Sequence, residues 1–415
     1  MQRGVDLQEV LRVSTWRDFI PKGAHKSLSN IENCRTAKLG YHAYRCQEES
    51  CKTVHLQYHG CRDRHCNHCG SLRARTWMED RMRELLPIKY FHVVFTIPDE
   101  LKSLFYLNQK PLYDLLFKSV AHCLLTLGKD PKYLGAQLGF ISVLHTWGQQ
   151  LNYRPHIHCI VSGGGVDKHG KWHNLKKGKG KYLFPYDVME KLYKGYLLEK
   201  INELVVNNLL QLPKNVDWKK LKNELYETEW IVYAKAPMND KGDSIELNGG
   251  GAEQVIEYLG RYTQKVAISN HRILSIDSDK NVTFKYKDYK SNGEYKLLKI
   301  PADEFVKRFS WHLLPRGFMR VRHYGFMGNT RKKSRIARIL DRMKLPQHPE
   351  KQGVSKELRF LEMYGSSKFK CTKCKKGILV LEYVSTRAGP NQNNENQHLQ
   401  KFSKSIDKQL VANFS

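Results

Sequence analysis

The sequence predicts an α+β fold with a small cysteine-rich module near its N-terminal end, and three observations predict it. Short runs rich in β-branched and aromatic residues, YFHVVFTIP (90–98), GFISVLHTW (139–147) and RPHIHCIVSGGG (154–165), read as strands. Longer stretches at 101–128 and 185–230 repeat apolar residues at helical spacing. Five of the ten cysteines fall between Cys46 and Cys69, with Cys34 just before them.

Taken in order, Leu7 to Trp16 form a short amphipathic helix that ends near Pro21, with Val10, Leu11 and Val13 filling a core. Residues 34–69 then switch to Cys, His and Tyr with short polar connections. A helix leaves this module through SLRARTWMEDRMRELL, where Leu72, Trp77, Leu85 and Leu86 are apolar and Arg73, Arg75, Arg81 and Arg83 form a basic rim. The strand at 90–98 stops at Pro98, and the helical stretch after it breaks at Pro111. GFISVLHTW and RPHIHCIVSGGG are two strands joined by a short turn. Strand alternation puts His156, His158 and Ile160 on one side and Ile157, Cys159 and Val161 on the other. Residues 163–181, three glycines followed by lysines, read as a loop that can approach a phosphate backbone. WIVYAKAP is a further strand and 252–265 a helix; HRILSID and NVTFKYKDY are strands, and NTRKKSRIARILDRMK is a basic helix.

Seventy Lys and Arg against 41 Asp and Glu give a formal net charge of +29, which gathers phosphate-bearing partners and steers their encounter. Nucleic acid is the partner class this favours. No uninterrupted apolar stretch of about 18 residues and no hydrophobic signal core is found, so no membrane partner and a cytosolic setting are expected.

Clustered cysteines in a large chain of this type favour metal ligation over a disulfide scaffold. Cys46-x4-Cys51 is followed by Cys61-x4-Cys66-x2-Cys69, and the last pair is a natural two-ligand knuckle. The expected zinc ligands are Cys46, Cys51, Cys66 and Cys69, with Cys61 or His65 as replacements for one of them. Cys371 and Cys374 supply half of a candidate second site, with no second close pair after them.

PHIH at 155–158 carries the chemistry. Two imidazoles one residue apart on a strand point the same way and can share one divalent ion. Tyr258 and Tyr262 lie four residues apart, so a helix would present both phenols on nearly one face. Packing in an apolar seam with Leu259 and Val266 is the plainer use of such a pair. A basic protein with a two-histidine metal site has a chemical use for it, since phosphodiester transfer needs a nucleophile, a positioned phosphorus and charge stabilisation. Arg154, Arg261 and Lys265 are candidate contacts to the DNA backbone.

CRTAKLGYHAYRC, CRDRHCNHC, FHVVFTIPDEL, HTWGQQLNYRPHIH, YLGRYTQKVAISNHRI and LLPRGFMRVRHYGF together resemble the two-tyrosine transposases of rolling-circle insertion sequences, within the HUH endonuclease superfamily. The resemblance covers about residues 34–325. It implies an HUH nuclease core with a central antiparallel β-sheet and flanking helices, plus an N-terminal zinc-binding module. It assigns His156 and His158 to the metal pair and Tyr258 and Tyr262 to the nucleophiles. Gln149 is the expected third polar ligand, with Glu257, Gln150 and His145 as alternatives. The family's closely spaced first cysteine pair appears here as Cys46-x4-Cys51, which leaves the zinc register open. The domains expected are a zinc and DNA-binding module at 1–80, the nuclease at 85–325 and a basic C-terminal region at 326–415.

The mechanism this resemblance implies uses Mg2+ or Mn2+ and single-stranded DNA at insertion-sequence ends. One tyrosine attacks a scissile phosphate to form a 5′-phosphotyrosine, and strands are rejoined to target DNA without ATP. No GxxxxGK[ST] loop is present, so unwinding falls to a host helicase, replication machinery or supercoiling, in the cytoplasm at the nucleoid. The competing readings are a single-tyrosine or replication-initiating HUH nuclease and a noncatalytic zinc-containing nucleic-acid-binding protein.

Overall fold

The strand that carries PHIH is the centre of the larger sheet. In the computed structural model β5 (Tyr153–Val166) lies between β4 (Gln137–Trp147) and β3 (Tyr90–Thr96), antiparallel to both. The structure describes residues 5–82, 84–175, 183–235, 267–288, 291, 293–348, 369–386 and 389–390. The chain divides into one unit of residues 1–24 and 70–349 and another of residues 25–69 and 350–415.

In the first unit the sheet order is β11-β4-β5-β3-β7, with β7 at Val232–Lys235, β11 at Val321–Gly325 and β6 (Trp172–Asn174) pairing with the end of β5. The alternation expected for β5 holds. Ile157, Cys159 and Val161 join Phe91, Val93 and Phe95 of β3 in the main core, beneath α5 (Gln109–Lys129) and α6 (Tyr186–Val206). Each large apolar side chain buried there contributes on the order of 1.5–3 kcal/mol, which commits this face to packing. The opposite face carries His156, His158 and Ile160.

At the Ile160 end, that second face is closed by Ile336, Ile339 and Leu340 of α9 (Lys332–Arg342), together with Leu85, Leu86, Tyr90 and Ile141. A second, three-stranded sheet of this unit runs β10-β9-β8, from β8 (Ile273–Ile276), β9 (Asn281–Asp288) and β10 (Glu294–Pro301). Its neighbour α8 (Ala302–Ser310) presents Asp303, which accepts from Ser14 Oγ at 2.6 Å and Thr15 N at 2.8 Å and so fixes α1 (Leu7–Val13). The shorter helices are α4 (Lys102–Leu107) and α7 (Trp218–Glu227).

The second unit holds the sheet β13-β12-β1-β2, with β1 at Tyr41–Cys46, β2 at Val54–Tyr58, β12 at Leu379–Thr386 and β13 at Gly389–Pro390. Residues from both ends of the sequence therefore share one sheet. Helices α2 (Lys22–Glu32) and α3 (Asn67–Met82) bracket the cysteine region in sequence.

The units differ from the three consecutive segments expected. The apolar stripe of α9 needs a partner and finds it on the large sheet, so 332–342 belongs with the unit that holds that sheet. β12 pairs with β1, Cys46 opposite Leu379, so the C-terminal strand belongs with the cysteines. A second correction concerns Gly163–Gly165, expected in a loop: they lie within β5. A Cβ on Gly164 would sit 2.5 Å from the Trp172 ring and one on Gly165 2.6 Å from Gln137 O, so these glycines serve close strand packing. The break expected at Pro111 falls instead at Asn108, which leaves Pro111 in the first turn of α5, where its missing N–H costs nothing.

Candidate metal centres

In the unit of residues 1–24 and 70–349, β4 and β5 place His145 directly opposite His156, and His158 lies one strand repeat further along. A register shift between His145 and Trp147 accompanies the turn into β5. Such irregularities re-aim side chains at the end of a strand. The turn closes with Gly148 N donating to Asn152 O at 2.9 Å. One nitrogen from each of His145, His156 and His158 lies within 4.8 Å of the others.

Each ring is held by a neighbour. His156 Nδ1 donates to the Arg154 carbonyl at 2.6 Å, which leaves Nε2 with its lone pair for a cation. His158 Nδ1 lies 2.8 Å from His92 Nε2, the two rings nearly parallel at 9°. With His158 donating from Nδ1, its Nε2 is likewise a free donor of electrons. His145 stacks on Trp147 at 4.6 Å, and the Arg320 guanidinium lies over the far ring at 5.7 Å.

Burial lowers His156 to about 4, against the opposing pull of the Arg154 carbonyl. Burial first, and then the neighbouring His145, His156 and His92, push His158 well below the usual imidazole range. His92 is lowered to about 4, again chiefly by burial. At neutral pH all three are therefore uncharged, the form in which imidazole binds metal. Nitrogens of His145, His156 and His158 converge as a group that fits a divalent cation.

Gln149, the expected third ligand, has partners of its own. It lies in the turn, where its side-chain oxygen accepts from Lys287 N at 3.5 Å and its carbonyl accepts from Arg272. The third nitrogen beside the pair is that of His145, because a residue opposite His156 on the neighbouring strand shares its face while a turn residue need not. Arg154 is exposed beside His156. His92 was not singled out from the sequence, although alternation along YFHVVFT places it on the face of Val94 and Thr96, opposite Ile160, His158 and His156. Tyr258, Tyr262, Glu257, Arg261 and Lys265, and the helix expected at 252–265, lie outside the described residues.

In the unit of residues 25–69 and 350–415 the cysteines form two groups of four, not one. Cys34, Cys61, Cys66 and Cys69 are the first; Cys34 and Cys61 Sγ lie 3.6 and 3.8 Å from Cys69 Sγ. Zinc at about 2.3 Å from each of four tetrahedral thiolates separates the sulfurs by about 3.8 Å, so the spacing fits. These are free thiols, and the backbone N–H groups of Cys61 and Asp63 donate to Cys34 Sγ and Cys61 Sγ at 3.3 and 3.4 Å. The expected set of Cys46, Cys51, Cys66 and Cys69 is therefore corrected. Cys46 and Cys51 sit at the far end of the β1–β2 hairpin with Cys371 and Cys374, while Cys34 and Cys61 complete the group of Cys66 and Cys69. His65 is directed to Asp63, its Nδ1 3.1 Å from Oδ1, and is not among the sulfur groups.

Comparison with known proteins bears on both units. A protein of Sinorhizobium fredii (strain NBRC 101917 / NGR234), "Putative transposase y4qJ", is 38% identical over 390 residues, covering 89% of this chain and 94% of its own length. The chain belongs to the two-tyrosine insertion-sequence transposases. Two family profiles match this transposase: "Putative transposase" over residues 139–335, which includes the three histidines, and "Transposase zinc-binding domain" over residues 8–97, which includes Cys34 to Cys69. The "Transposase for insertion sequence element IS801" of Pseudomonas savastanoi pv. phaseolicola is 26% identical over 325 residues, 76% of this chain and 74% of its own. A conjugative relaxase, TrwC, in complex with oriT DNA aligns with 43% of the transposase and 65% of itself at 13% identity, with a TM-score of 0.24, too low to carry a fold argument. Among the described residues no helix of the transposase is long and apolar enough to cross a membrane.

Proposed function

We propose that this transposase cuts and rejoins single-stranded DNA at insertion-sequence ends in rolling-circle transposition, with His145, His156 and His158 holding a divalent cation, Mg2+ or Mn2+, beside Tyr258 and Tyr262. The observation that carries the reading is the convergence of three imidazoles on one face of the central sheet, His145 from β4 and the PHIH pair from β5. The cation, when bound, polarises the scissile phosphate and offsets charge on its nonbridging oxygens.

The chain's own groups do the rest. The oxygen of one tyrosine attacks phosphorus, the bond from phosphorus to the 3′ oxygen breaks, and that oxygen leaves as a 3′-hydroxyl after gaining a proton. The phenolic proton passes to solvent or a nearby base, because a phenol with an ordinary pKa near 10 is a weak nucleophile until it is deprotonated. The 5′-phosphotyrosine stores the bond energy, so a 3′-hydroxyl can reverse the step and join strands with no ATP. The second tyrosine opens another strand while the first adduct persists. Arg154, Arg261 and Lys265 hold the DNA backbone, and the zinc-binding domain adds a DNA contact. Strand separation falls to a host helicase, replication or supercoiling, and the protein works in the cytoplasm at the nucleoid. The net charge of +29 favours such a partner over an acidic protein of defined shape.

The test supplies the full chain with labelled single-stranded element ends and Mg2+ or Mn2+, followed by denaturing electrophoresis and peptide mapping. A peptide carrying DNA at Tyr258 or Tyr262 is expected. DNA binding with no covalent product under any divalent cation would leave the noncatalytic reading in its place.

A further inference from the structure

The matched zinc-binding domain ends at residue 97, yet four of the unit's sulfurs are grouped in a way that this segment alone does not supply. Cys46 and Cys51 flank the β1–β2 connection; Cys371 and Cys374 come from more than 300 residues further along the chain. Cys46 Sγ lies 3.7 Å from Cys374 Sγ, and Cys51 Sγ lies 3.8 Å from Cys371 Sγ. All four sulfurs are within 4.8 Å of one another, and all four are free thiols. The separations match the roughly 3.8 Å edge of a tetrahedral zinc-thiolate site and are far beyond a disulfide bond.

The backbone around Cys371 and Cys374 is built for thiolates. Lys375 adopts a left-handed conformation (φ 58°), its N–H donates to Cys371 O at 2.9 Å, and Gly377 N–H donates to Cys374 Sγ at 3.2 Å. Position 377 has no room for a side chain: a Cβ there would stand 2.3 Å from Cys46 Sγ. Thr53 Oγ1 lies 3.3 Å from Cys51 Sγ, and His55 Nε2 lies 3.2 Å from Cys371 Sγ. Hydrogen bonds of this kind from hydroxyl, ring and backbone donors stabilise sulfur as thiolate.

The packing supplies an independent reason. The buried apolar cluster at this end of the sheet consists of Cys46, Cys371 and Leu379, with Tyr44, Cys51 and Cys374 half-buried around it. Among the described residues this buried cluster is small, one leucine and two thiols. A structural metal is a usual staple for so small a cluster.

We propose that Cys46, Cys51, Cys371 and Cys374 bind a second Zn2+, distinct from that of Cys34, Cys61, Cys66 and Cys69. This ion fastens the C-terminal strand to the N-terminal module. The zinc-binding unit is then discontinuous in sequence and closes only when both ends of the chain are present.

Native mass spectrometry of the full chain, with zinc release measured by a colorimetric chelator, reads the stoichiometry. Two Zn2+ per wild-type chain are expected; one would overturn the proposal whatever the variants do. The double variant Cys371→Ser/Cys374→Ser should hold one Zn2+, and so should Cys34→Ser/Cys69→Ser; a count of two in the first variant would overturn the assignment. Substitution His55→Ala should leave two, and its loss of one ion would overturn the four-sulfur ligand set. Should the serine variants fail to fold, X-ray absorption on the wild-type zinc decides: an average first shell of four sulfurs supports the proposal, and a mixed nitrogen and sulfur shell refutes it.

Discussion

His92 offers a test of how the histidine face is organised. Its Nε2 lies 2.8 Å from His158 Nδ1, and the rings stack with centroids 5.1 Å apart. In His92→Phe the stacking partner keeps its shape while the hydrogen bond is lost, so the variant isolates the bond from the packing. His158 is then free to change tautomer or turn, and its Nδ1–H loses a buried acceptor. Removing a partner that orients a metal-bound imidazole typically costs 10–100-fold in metal affinity, or about 1.4–2.8 kcal/mol. That range agrees with the roughly 1–3 kcal/mol expected for leaving one buried polar group unpaired. The assay follows single-stranded DNA cleavage against Mn2+ concentration. The midpoint should move 10–100-fold higher, with the maximal rate largely recovered at saturating Mn2+. An unchanged midpoint with a reduced maximal rate would refute the positioning role and place His92 in a different step.

Four further outcomes are expected. His145→Ala should abolish cleavage at ordinary Mn2+ concentrations and weaken Mn2+ binding measured by electron paramagnetic resonance, whereas Gln149→Ala should leave binding unchanged; the reverse pattern would restore Gln149 as the third ligand. Tyr258→Phe and Tyr262→Phe, assayed separately, should each remove one covalent adduct while strand joining fails in both; full joining by either variant would favour a single-tyrosine nuclease. Ile339→Ala empties part of the cluster under α9 and should destabilise the unit by about 2–5 kcal/mol in urea unfolding, with no change in zinc content. His323 is lowered to about 3 by burial and then by Lys332 and Arg81, and neither ring nitrogen has a hydrogen-bond partner. Its folded-state pKa lies below the unfolded value, so stability is fully present above about 6.5 and lost as pH falls toward 3; His323→Phe should flatten that acid limb in thermal melts between pH 6 and 4.

Much of the large sheet was legible because one of its faces is wholly committed to packing. Alternation in RPHIHCIV separated the two faces of β5, and the short turn between β4 and β5 was expected between two apolar runs. The helix over Lys332–Arg342 was also expected, as a basic one. Its partner was not, since periodicity shows that a helix has a buried side without saying what buries it. The same holds for metal ligands. Spacing marked Cys66 and Cys69 as a knuckle and PHIH as a pair, but His145, Cys371 and Cys374 are brought alongside by strand pairing. His145 joins through its register opposite His156, and Cys371 and Cys374 join through β12. Local spacing therefore favoured Cys46 and Cys51 as partners of Cys66 and Cys69, when the hairpin carries them to a different group. His92 went unnoticed because a lone histidine in an apolar strand ordinarily reads as core. The glycines at 163–165 misled for a related reason: their use lies in the approach of Trp172 and Gln137, which the sequence around them does not reveal.

Strand transfer as proposed requires a cation among three imidazoles and a phenolic oxygen meeting at one phosphorus. Anomalous diffraction from crystals of the covalent DNA complex grown with Mn2+ tests this most directly. A manganese peak bounded by His145, His156 and His158 is expected, with an oxygen of the Tyr258 or Tyr262 phosphodiester in its coordination shell. A peak elsewhere, or a phosphotyrosine remote from these histidines, would contradict it.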